Sequence, residues 1–307
     1  MRRNVFPTAC ILLMASGLCG DGWAQMPPRA AVQIHPGAQD GEGAPYRRQA
    51  WLVPTQDERT PAYAWLFRPP GAGPFRVALI AHASTQNEIR RVQMPQPDYP
   101  ALVAALVTRG FAVVIPQRLG HGATGGAYVE DQGDCAGPDY RRAGLVTADA
   151  IWRALTFIRA QPFAKKEGAV VIGHSAGGWG ALALADRSPR EIAAIIAFAP
   201  GRGGRADDRA GQVCAPERLI ATAANFGRQA RVPVHWLVAE NDSYFPPSLS
   251  KQMADAFRAT GRDRVSFAVL PSFGSDGHGF AEAASASELG RLLDMELNDA
   301  APKTKRR

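Results

Sequence analysis

The sequence lacks the patterns that accompany metal, nucleotide and cofactor chemistry. It contains no G-x-x-x-x-G-K-[ST] loop, and its histidines, cysteines and carboxylates show no metal-ligand spacing. One G-x-G-x-x-G run, Gly120–Gly125, follows a predicted strand. No helical apolar face follows it, so a dinucleotide-binding interpretation fails. We therefore expect a protein that needs neither a metal nor an organic cofactor.

The sequence also has no nucleic-acid-binding module and, after its first 24 residues, no apolar run long enough to cross a membrane. The net charge is +7, but part of it lies in the last residues, Lys303–Arg307. Such a basic end is usually solvated, and no basic stripe with interleaved aromatic side chains occurs. We expect no nucleic-acid partner, no membrane insertion of the mature chain, and a disordered basic tail over residues 299–307.

The N-terminus has the layout of a secretory signal peptide. A positive start, Met1–Arg3, precedes an apolar stretch, Ala9–Leu18, and small residues precede a cleavage point after Ala24. The apolar stretch is shorter than the about 20 residues of a membrane span. We expect residues 1–24 to be removed and the mature protein to be periplasmic or secreted. A lipoprotein anchored at Cys19 is the alternative, although the residue before it is bulky.

Cysteine is scarce, with four residues in the chain, of which two lie in the predicted signal peptide. The mature chain keeps Cys135 and Cys214, which an oxidising compartment would join in one disulfide. Each lies in a long loop rich in Gly, Asp and Arg, residues 117–140 and 201–216. A bridge between them would stiffen a partial loop cap, and two free, partly buried thiols are the alternative.

Short apolar runs alternate with segments of helical periodicity along most of the chain. The runs, typical of buried parallel strands, are Val77–Ala81, Phe111–Ile115, Ala169–Ile172, Ile192–Phe198, Val232–Ala239 and Val265–Leu270. The predicted helices are Tyr99–Arg109, Arg141–Ala160, Gly177–Asp186, Ser248–Thr260 and Glu282–Leu297. Alternation of this kind predicts an α/β fold, a mostly parallel sheet with helices on both faces.

Two earlier strands, Trp51–Val53 and Ala62–Phe67, have no helix between them, so we expect an antiparallel edge. The Pro- and Gly-rich residues 25–48 are predicted to be a flexible lead-in to one domain over residues 49–298. Ligands in such folds bind beyond the carboxyl ends of the parallel strands.

A G-x-S-x-G motif, Gly173–Gly177, lies directly between a predicted strand and a predicted helix. This context is the one that a nucleophile elbow requires, with small residues on both sides of the serine. The hydroxyl of Ser175 would project above the sheet beside helix N–H groups that favour a developing anion. We predict Ser175 as a catalytic nucleophile; a structural turn with an exposed serine is the alternative.

The expected order of a catalytic triad on such a sheet is serine, acid, histidine. Asp242 follows a predicted strand, and His278 lies in the loop between the last strand and the last helix. We predict Asp242 as the acid that orients His278, the general base for Ser175. Glu240 and Asp276 are the rival acids.

The oxyanion of the reaction needs two N–H donors. Ala176 follows the nucleophile, and the polar loop after the strand ending at Ala81 offers Ser84, with Thr85 as the second choice. A polar run that merely caps the next turn is the alternative.

We predict that His121, Trp179 and Tyr244 contact the substrate, although a solvated loop position is the alternative for His121. Several arginines cluster near the two long loops and would form either a solvated rim, which we favour, or a carboxylate site. They are Arg118, Arg141, Arg142, Arg202 and Arg205.

With these motifs the sequence resembles the α/β-hydrolase superfamily, and within it the dienelactone-hydrolase-like and bacterial serine esterase branch. The resemblance covers about Trp51 to Leu297 and rests on the run Gly173–Gly178, on Asp242 followed by Phe-Pro-Pro, and on His278 between two glycines. It implies the same three triad roles, an acyl-enzyme, and a small or medium-sized carboxylic ester as substrate.

The sequence departs from that branch in two ways. Many relatives have His-Gly in the oxyanion loop, where this chain has His82 and Ala83. The founding dienelactone hydrolases use a cysteine where this chain has Ser175, so the dienelactone substrate does not carry over. A serine peptidase or amidase on the same fold, an acyltransferase and a non-catalytic binding protein are the competing hypotheses.

Overall fold

The computed structural model describes residues 35–187, 189–260 and 264–299. The described residues belong to one compact unit. The predicted signal peptide and residues 300–307 of the predicted tail lie outside the described residues. No helix of the described part is long and apolar enough to span a membrane.

Nine strands form one sheet in the spatial order β1-β2-β3-β5-β4-β6-β7-β8-β9. They are β1 (Gly37–Ala38), β2 (Gln49–Val53), β3 (Ala62–Phe67), β4 (Arg76–Ala81), β5 (Phe111–Pro116), β6 (Ala169–His174), β7 (Ile192–Phe198), β8 (Val234–Ala239) and β9 (Val265–Leu270). Strands β1, β2, β3 and β5 pair antiparallel, and all pairs from β5 to β9 are parallel. The predicted antiparallel edge and mostly parallel sheet are confirmed.

Eight α-helices accompany the sheet in the described part. They are α1 (Glu88–Val92), α2 (Pro100–Val107), α3 (Tyr140–Arg159), α4 (Ala176–Asp186), α5 (Pro216–Gly227), α6 (Pro247–Thr260), α7 (Phe280–Ala283) and α8 (Ala286–Asp299). Successive side chains of a strand point to opposite faces, so a strand covered on both sides must be apolar throughout. In β4, Leu79 belongs to the core cluster that includes side chains of α3 to α6, and its neighbour Ile80 belongs to the cluster that includes side chains of α2, α7 and α8.

Helix α5 was not predicted. Its buried side chains Leu219, Ala223 and Phe226 recur at helical spacing and pack into the core on one face of the sheet. The signal was therefore present in the sequence, immediately after the second long loop.

The predicted final helix is two helices. Between α7 and α8, the backbone N–H and hydroxyl of Ser285 donate to the Glu288 carboxylate, and the Glu288 N–H donates to the Ser285 hydroxyl. This reciprocal capping box starts a new helix, because it satisfies N–H groups that have no partner within the helix.

Part of the predicted flexible lead-in is ordered. Residues 37–38 pair with β2, and the guanidinium of Arg47 donates to the Glu42 carboxylate at 2.6 Å and to the carbonyl oxygen of Pro69 at 3.1 Å. These bonds tie residues 37–48 to the sheet edge, so the prediction of flexibility is wrong for them. Residues 25–34 lie outside the described residues.

A disulfide joins Cys135 and Cys214, whose Cα atoms are 4.9 Å apart across 79 residues of sequence. It connects the two long loops, as predicted. The hydroxyl of Tyr140, at the start of α3, also donates to the carbonyl oxygen of Cys214. The loop after β7 is thereby fixed over the carboxyl ends of the strands.

Candidate active site

Ser175 occupies a sharp turn between β6 and α4. Its φ of 55° and ψ of −117° lie in a region that non-glycine residues rarely adopt, at a cost of about 1–3 kcal/mol. A Cβ atom on Gly173 would lie 2.5 Å from the Cα of Gly178, and one on Gly177 would overlap the carbonyl group of Ala81. The glycines of the motif are therefore required by close backbone contacts, which supports the elbow interpretation.

Asp242, which is buried, and His278, which is partly buried, form a hydrogen-bonded pair at the ends of β8 and β9. The distance from His278 Nδ1 to Asp242 Oδ2 is 3.0 Å, and the Asp242 side chain has no exposed surface. Its Oδ1 also accepts the N–H groups of Tyr244 and Phe245, both at 2.8 Å. A carboxylate only accepts hydrogen bonds, so Nδ1 of His278 carries the proton and Nε2 of the neutral ring is free to act as a base.

The two rival acids lie elsewhere. Asp276 accepts hydrogen bonds from the backbone and hydroxyl of Ser243 and from the backbone N–H of His278. Burial alone would raise the pKa of Asp276, but these hydrogen bonds outweigh that effect and lower it. Glu240 accepts from the hydroxyl of the exposed Ser272. Asp276 thus holds the turn that carries His278, and only Asp242 of the three carboxylates bonds to its ring.

Two neighbours, Tyr244 and His174, hold His278 in place. Tyr244 stacks on it with ring centroids 4.1 Å apart. His174 Nε2 lies 2.8 Å from the carbonyl oxygen of His278 and must be the donor. In the described part of the chain, Ser175 Oγ makes no hydrogen bond, so Ser175 and His278 are not joined in this conformation. Such bonds often form only when substrate is bound.

A network of hydrogen bonds behind Ser175 connects the surrounding loops. His174 Nδ1 lies 3.2 Å from both the hydroxyl of Tyr99 and Oε1 of Glu282, and this contact lowers the pKa of Glu282. The hydroxyl of Tyr99 accepts the N–H of Ala83 at 3.3 Å. The oxyanion loop, the elbow and the His278 loop therefore meet at three side chains. Sequence reasoning missed Tyr99 and Glu282, which have no motif of their own.

The predicted oxyanion donors face one cavity. Ser175, Ser84 and Ala176 line a cavity of about 330 Å³. Among the described residues, the N–H groups of Ser84 and Ala176 have no acceptor, as an oxyanion site requires. The same loop also caps the following turn, as the alternative interpretation predicted, because the side chains of Thr85 and Asn87 accept N–H groups of that turn.

His121 does not contact the cavity, which corrects its assignment as a substrate-binding residue. It is fully buried, and its Nδ1 lies 3.0 Å from the carbonyl oxygen of Leu119. Nδ1 is therefore the donor, so Nε2 accepts the hydroxyl proton of Ser84 at 2.7 Å. Burial lowers the pKa of His121 to about 4. Its role in this structure is to hold Ser84.

Trp179 is also not a substrate contact. It is fully buried, its Nε1 donates to the carbonyl oxygen of Tyr140 at 2.8 Å, and its ring packs on Phe226. Position four of α4 points into the core between α3 and α5, away from the cavity. Tyr244 lines the cavity, so its predicted contact with substrate stays a prediction.

Two of the loop arginines are buried rather than part of a solvated rim. Arg118 and Arg202 both pair with Glu130, and all three side chains are about 2–3% exposed. Burial alone would raise the pKa of Glu130, but the two guanidinium groups hold it far below its usual range. Arg205 lies over the ring of Tyr244 at 5.5 Å and lines the cavity. Glu130 was missed because nothing in a loop sequence marks a buried carboxylate.

No group of histidine, cysteine and carboxylate side chains in the described residues could hold a metal ion. Ser175, Asp242 and His278 combine a strained turn, an oriented imidazole and free N–H donors, an arrangement that can catalyse acyl transfer without a metal.

Comparisons with known proteins agree with this geometry. The family model of the dienelactone hydrolase family matches residues 64–304. No curated protein matches the sequence. Solved structures with a similar fold include an esterase of Pyrococcus furiosus, with a TM-score of 0.56 and 15% identity over 86% of this chain and 100% of that chain. Acetyl xylan esterase 1 from Thermoanaerobacterium has a TM-score of 0.55 and 16% identity over 88% of this chain and 89% of that chain.

A puromycin-hydrolysing peptidase of Mycobacterium tuberculosis has a TM-score of 0.55 and 19% identity over 83% of this chain, which spans 40% of that protein. At these identities the structures establish the fold alone. The family match covers most of the chain, and the sheet and its elbow are those of an α/β hydrolase. The chain therefore belongs to the dienelactone hydrolase family and is a hydrolase with the α/β-hydrolase fold.

Proposed function

We propose that this hydrolase cleaves a carboxylic ester of a small or medium-sized molecule through an acyl-enzyme on Ser175. The observation that carries the proposal is the hydrogen-bonded pair of Asp242 and His278 on the same rim of the sheet as the strained turn of Ser175. No metal or organic cofactor takes part.

The reaction has two halves. Ser175 Oγ attacks the ester carbonyl carbon while His278 Nε2 takes its proton, and the N–H groups of Ser84 and Ala176 stabilise the oxyanion. The bond to the alcohol oxygen then breaks, and that oxygen takes the proton from His278. Water, deprotonated by the same nitrogen, attacks the acyl-enzyme and releases the acid and free Ser175. Asp242 stabilises the imidazolium in both halves.

The ester bond and the nucleophile are tested together. The mature protein is expected to hydrolyse p-nitrophenyl acetate and to be labelled by a fluorophosphonate probe on the peptide that contains Ser175. Matched p-nitroanilides separate the esterase from a serine peptidase or amidase, which would use the same three side chains. Faster anilide cleavage would favour the peptidase, and a folded protein that neither reacts nor is labelled would favour a non-catalytic binding protein.

We also propose that the chain is exported. The layout of residues 1–24 and the disulfide between Cys135 and Cys214 support this proposal. The mature protein, isolated from the periplasm or medium, is expected to begin at Gln25 and to have a mass 2 Da below that of its reduced form. A retained N-terminus, or two free thiols, would contradict export with oxidation.

A further inference from the structure

The cavity in front of Ser175 contains a buried carboxamide without a partner. Gln132 is only 4% exposed and lines this cavity. Its side chain makes no hydrogen bond to any described residue, and its Oε1 is shielded from solvent. A buried polar group without a partner costs free energy. A ligand hydroxyl that contacts the carboxamide would remove that cost once a rotation of the Gln132 side chain turns the shielded Oε1 towards the cavity.

Neighbouring groups have their hydrogen-bond directions set by the protein. The hydroxyl of Ser84 donates to His121, so its oxygen is left as an acceptor towards the cavity. The hydroxyl of Tyr128 accepts from Arg202, which leaves its own proton free to donate. The cavity wall thus presents an acceptor, a donor and a carboxamide that supplies both. Hydroxyl groups match this combination, whereas a carboxylate only accepts and an ammonium group only donates.

Apolar lining is limited to Ala176, Phe245 and two glycines. The lining contains no leucine, isoleucine, valine or methionine, so it offers little of the aliphatic surface that a long acyl chain would bury. The hydroxyl groups are therefore expected on the alcohol part of the ester, and the acyl part is expected to be short.

The charges around the cavity nearly balance. Arg90, Arg202 and Arg205 line it together with Asp207 and Asp208, and Glu130, which also pairs with Arg118, partly neutralises Arg202. A site for an anionic substrate would show a larger excess of positive charge. A neutral, polar molecule fits this lining better.

We propose that the cavity binds a short-chain acyl ester of a sugar or other polyol, and that Gln132 determines this specificity by hydrogen bonding to its hydroxyl groups. This inference rests on the proposed esterase activity. The acyl group moves to Ser175 Oγ, the neutral polyol leaves with the proton from His278, and water then releases the short acid.

The test compares two acetate esters with rings of the same size. Methyl O-acetyl-xylopyranoside carries free hydroxyl groups, and cyclohexyl acetate carries none. We expect kcat/KM to be at least about tenfold higher for the sugar ester, since one well-made hydrogen bond changes affinity by about that factor. Gln132→Leu is expected to lower the ratio of the two values by about tenfold.

Gln252→Leu is the matched control. Gln252 is exposed on α6 and lines a different cavity, so this variant is expected to leave the ratio unchanged. Thermal unfolding checks that each variant folds, and if Gln132→Leu does not, Gln132→Asn tests the same contact with a shorter side chain.

Equal kcat/KM for the two esters in the wild type would overturn the inference while leaving the esterase intact. An unchanged ratio in Gln132→Leu would show that Gln132 does not determine this specificity. A preference for the carboxylate-bearing ester 2-acetoxypropanoate would replace the polyol with an anionic substrate. If the wild-type protein hydrolysed no ester, including p-nitrophenyl acetate, the proposed function and this inference would both be overturned.

Discussion

Replacement of Ser175 by alanine is expected to lower kcat for p-nitrophenyl acetate by about 10⁴- to 10⁶-fold, with the protein still folded. The substitution removes the atom that forms the acyl-enzyme, while the oriented imidazole of His278 and the N–H donors stay in place. Those remaining groups explain why some rate above that in water should survive. Because the turn at Ser175 is strained for any side chain, alanine should adopt it as serine does.

The rate is measured in steady state, and circular dichroism verifies the fold. Ser272→Ala is the matched control, since its hydroxyl is exposed and bonds only to Glu240 among the described residues. Its kcat should equal that of the wild type. If Ser175→Ala kept activity within tenfold of the wild type, the nucleophile would lie elsewhere. Ser84 also lines the cavity and is bonded to a histidine, but the depressed pKa of His121 makes that ring a weak base.

Replacement of Glu130 by glutamine is expected to lower the free energy of unfolding at neutral pH by about 3–5 kcal/mol. The wild-type carboxylate lies between two buried guanidinium groups, those of Arg118 and Arg202. Glutamine has nearly the same shape but no charge, so both arginines would stay buried without a counter-charge. A buried ion pair adds little compared with an apolar core, but breaking one is costly.

The pH dependence distinguishes this charge effect from a packing effect. The pKa of Glu130 is depressed in the folded state, so its stabilisation is present above its unfolded-state pKa of about 4.3 and is lost as the pH falls towards its folded-state pKa. The difference between wild type and Glu130→Gln should therefore be largest near pH 7 and shrink below about pH 4. Urea denaturation at several pH values measures it.

The exposed Glu58 provides the control, because Glu58→Gln removes the same charge from the surface and should change the unfolding free energy by at most about 0.5 kcal/mol. Equal urea midpoints for wild type and Glu130→Gln at pH 7 would show that the buried ion pairs of Glu130 do not contribute to stability.

Local patterns were enough to predict most of the fold. The strands β4 to β8 were recognised because a strand buried on both faces must be largely apolar, and the edge strand β9 was recognised from its mostly apolar run. The elbow at Ser175 was recognised because close backbone contacts allow only glycine at two of its positions. The predicted helix boundaries were wrong where a cap sets them, as at Ser285, where a capping box starts a new helix. Helix α5, which contains Leu219, was overlooked because it follows an irregular loop.

The sequence by itself determined the sheet, the place of the elbow and the order of serine, acid and histidine, because sterics and side-chain periodicity act between near neighbours in the chain. The tertiary structure decided which of three nearby carboxylates bonds to His278, since that depends on how two loops after different strands pack. It also decided that Trp179 is buried in the core and that Arg118 and Arg202 share one buried carboxylate. Such contacts join residues far apart in sequence, and burial and charge pairing are properties of the assembled loops rather than of any one segment.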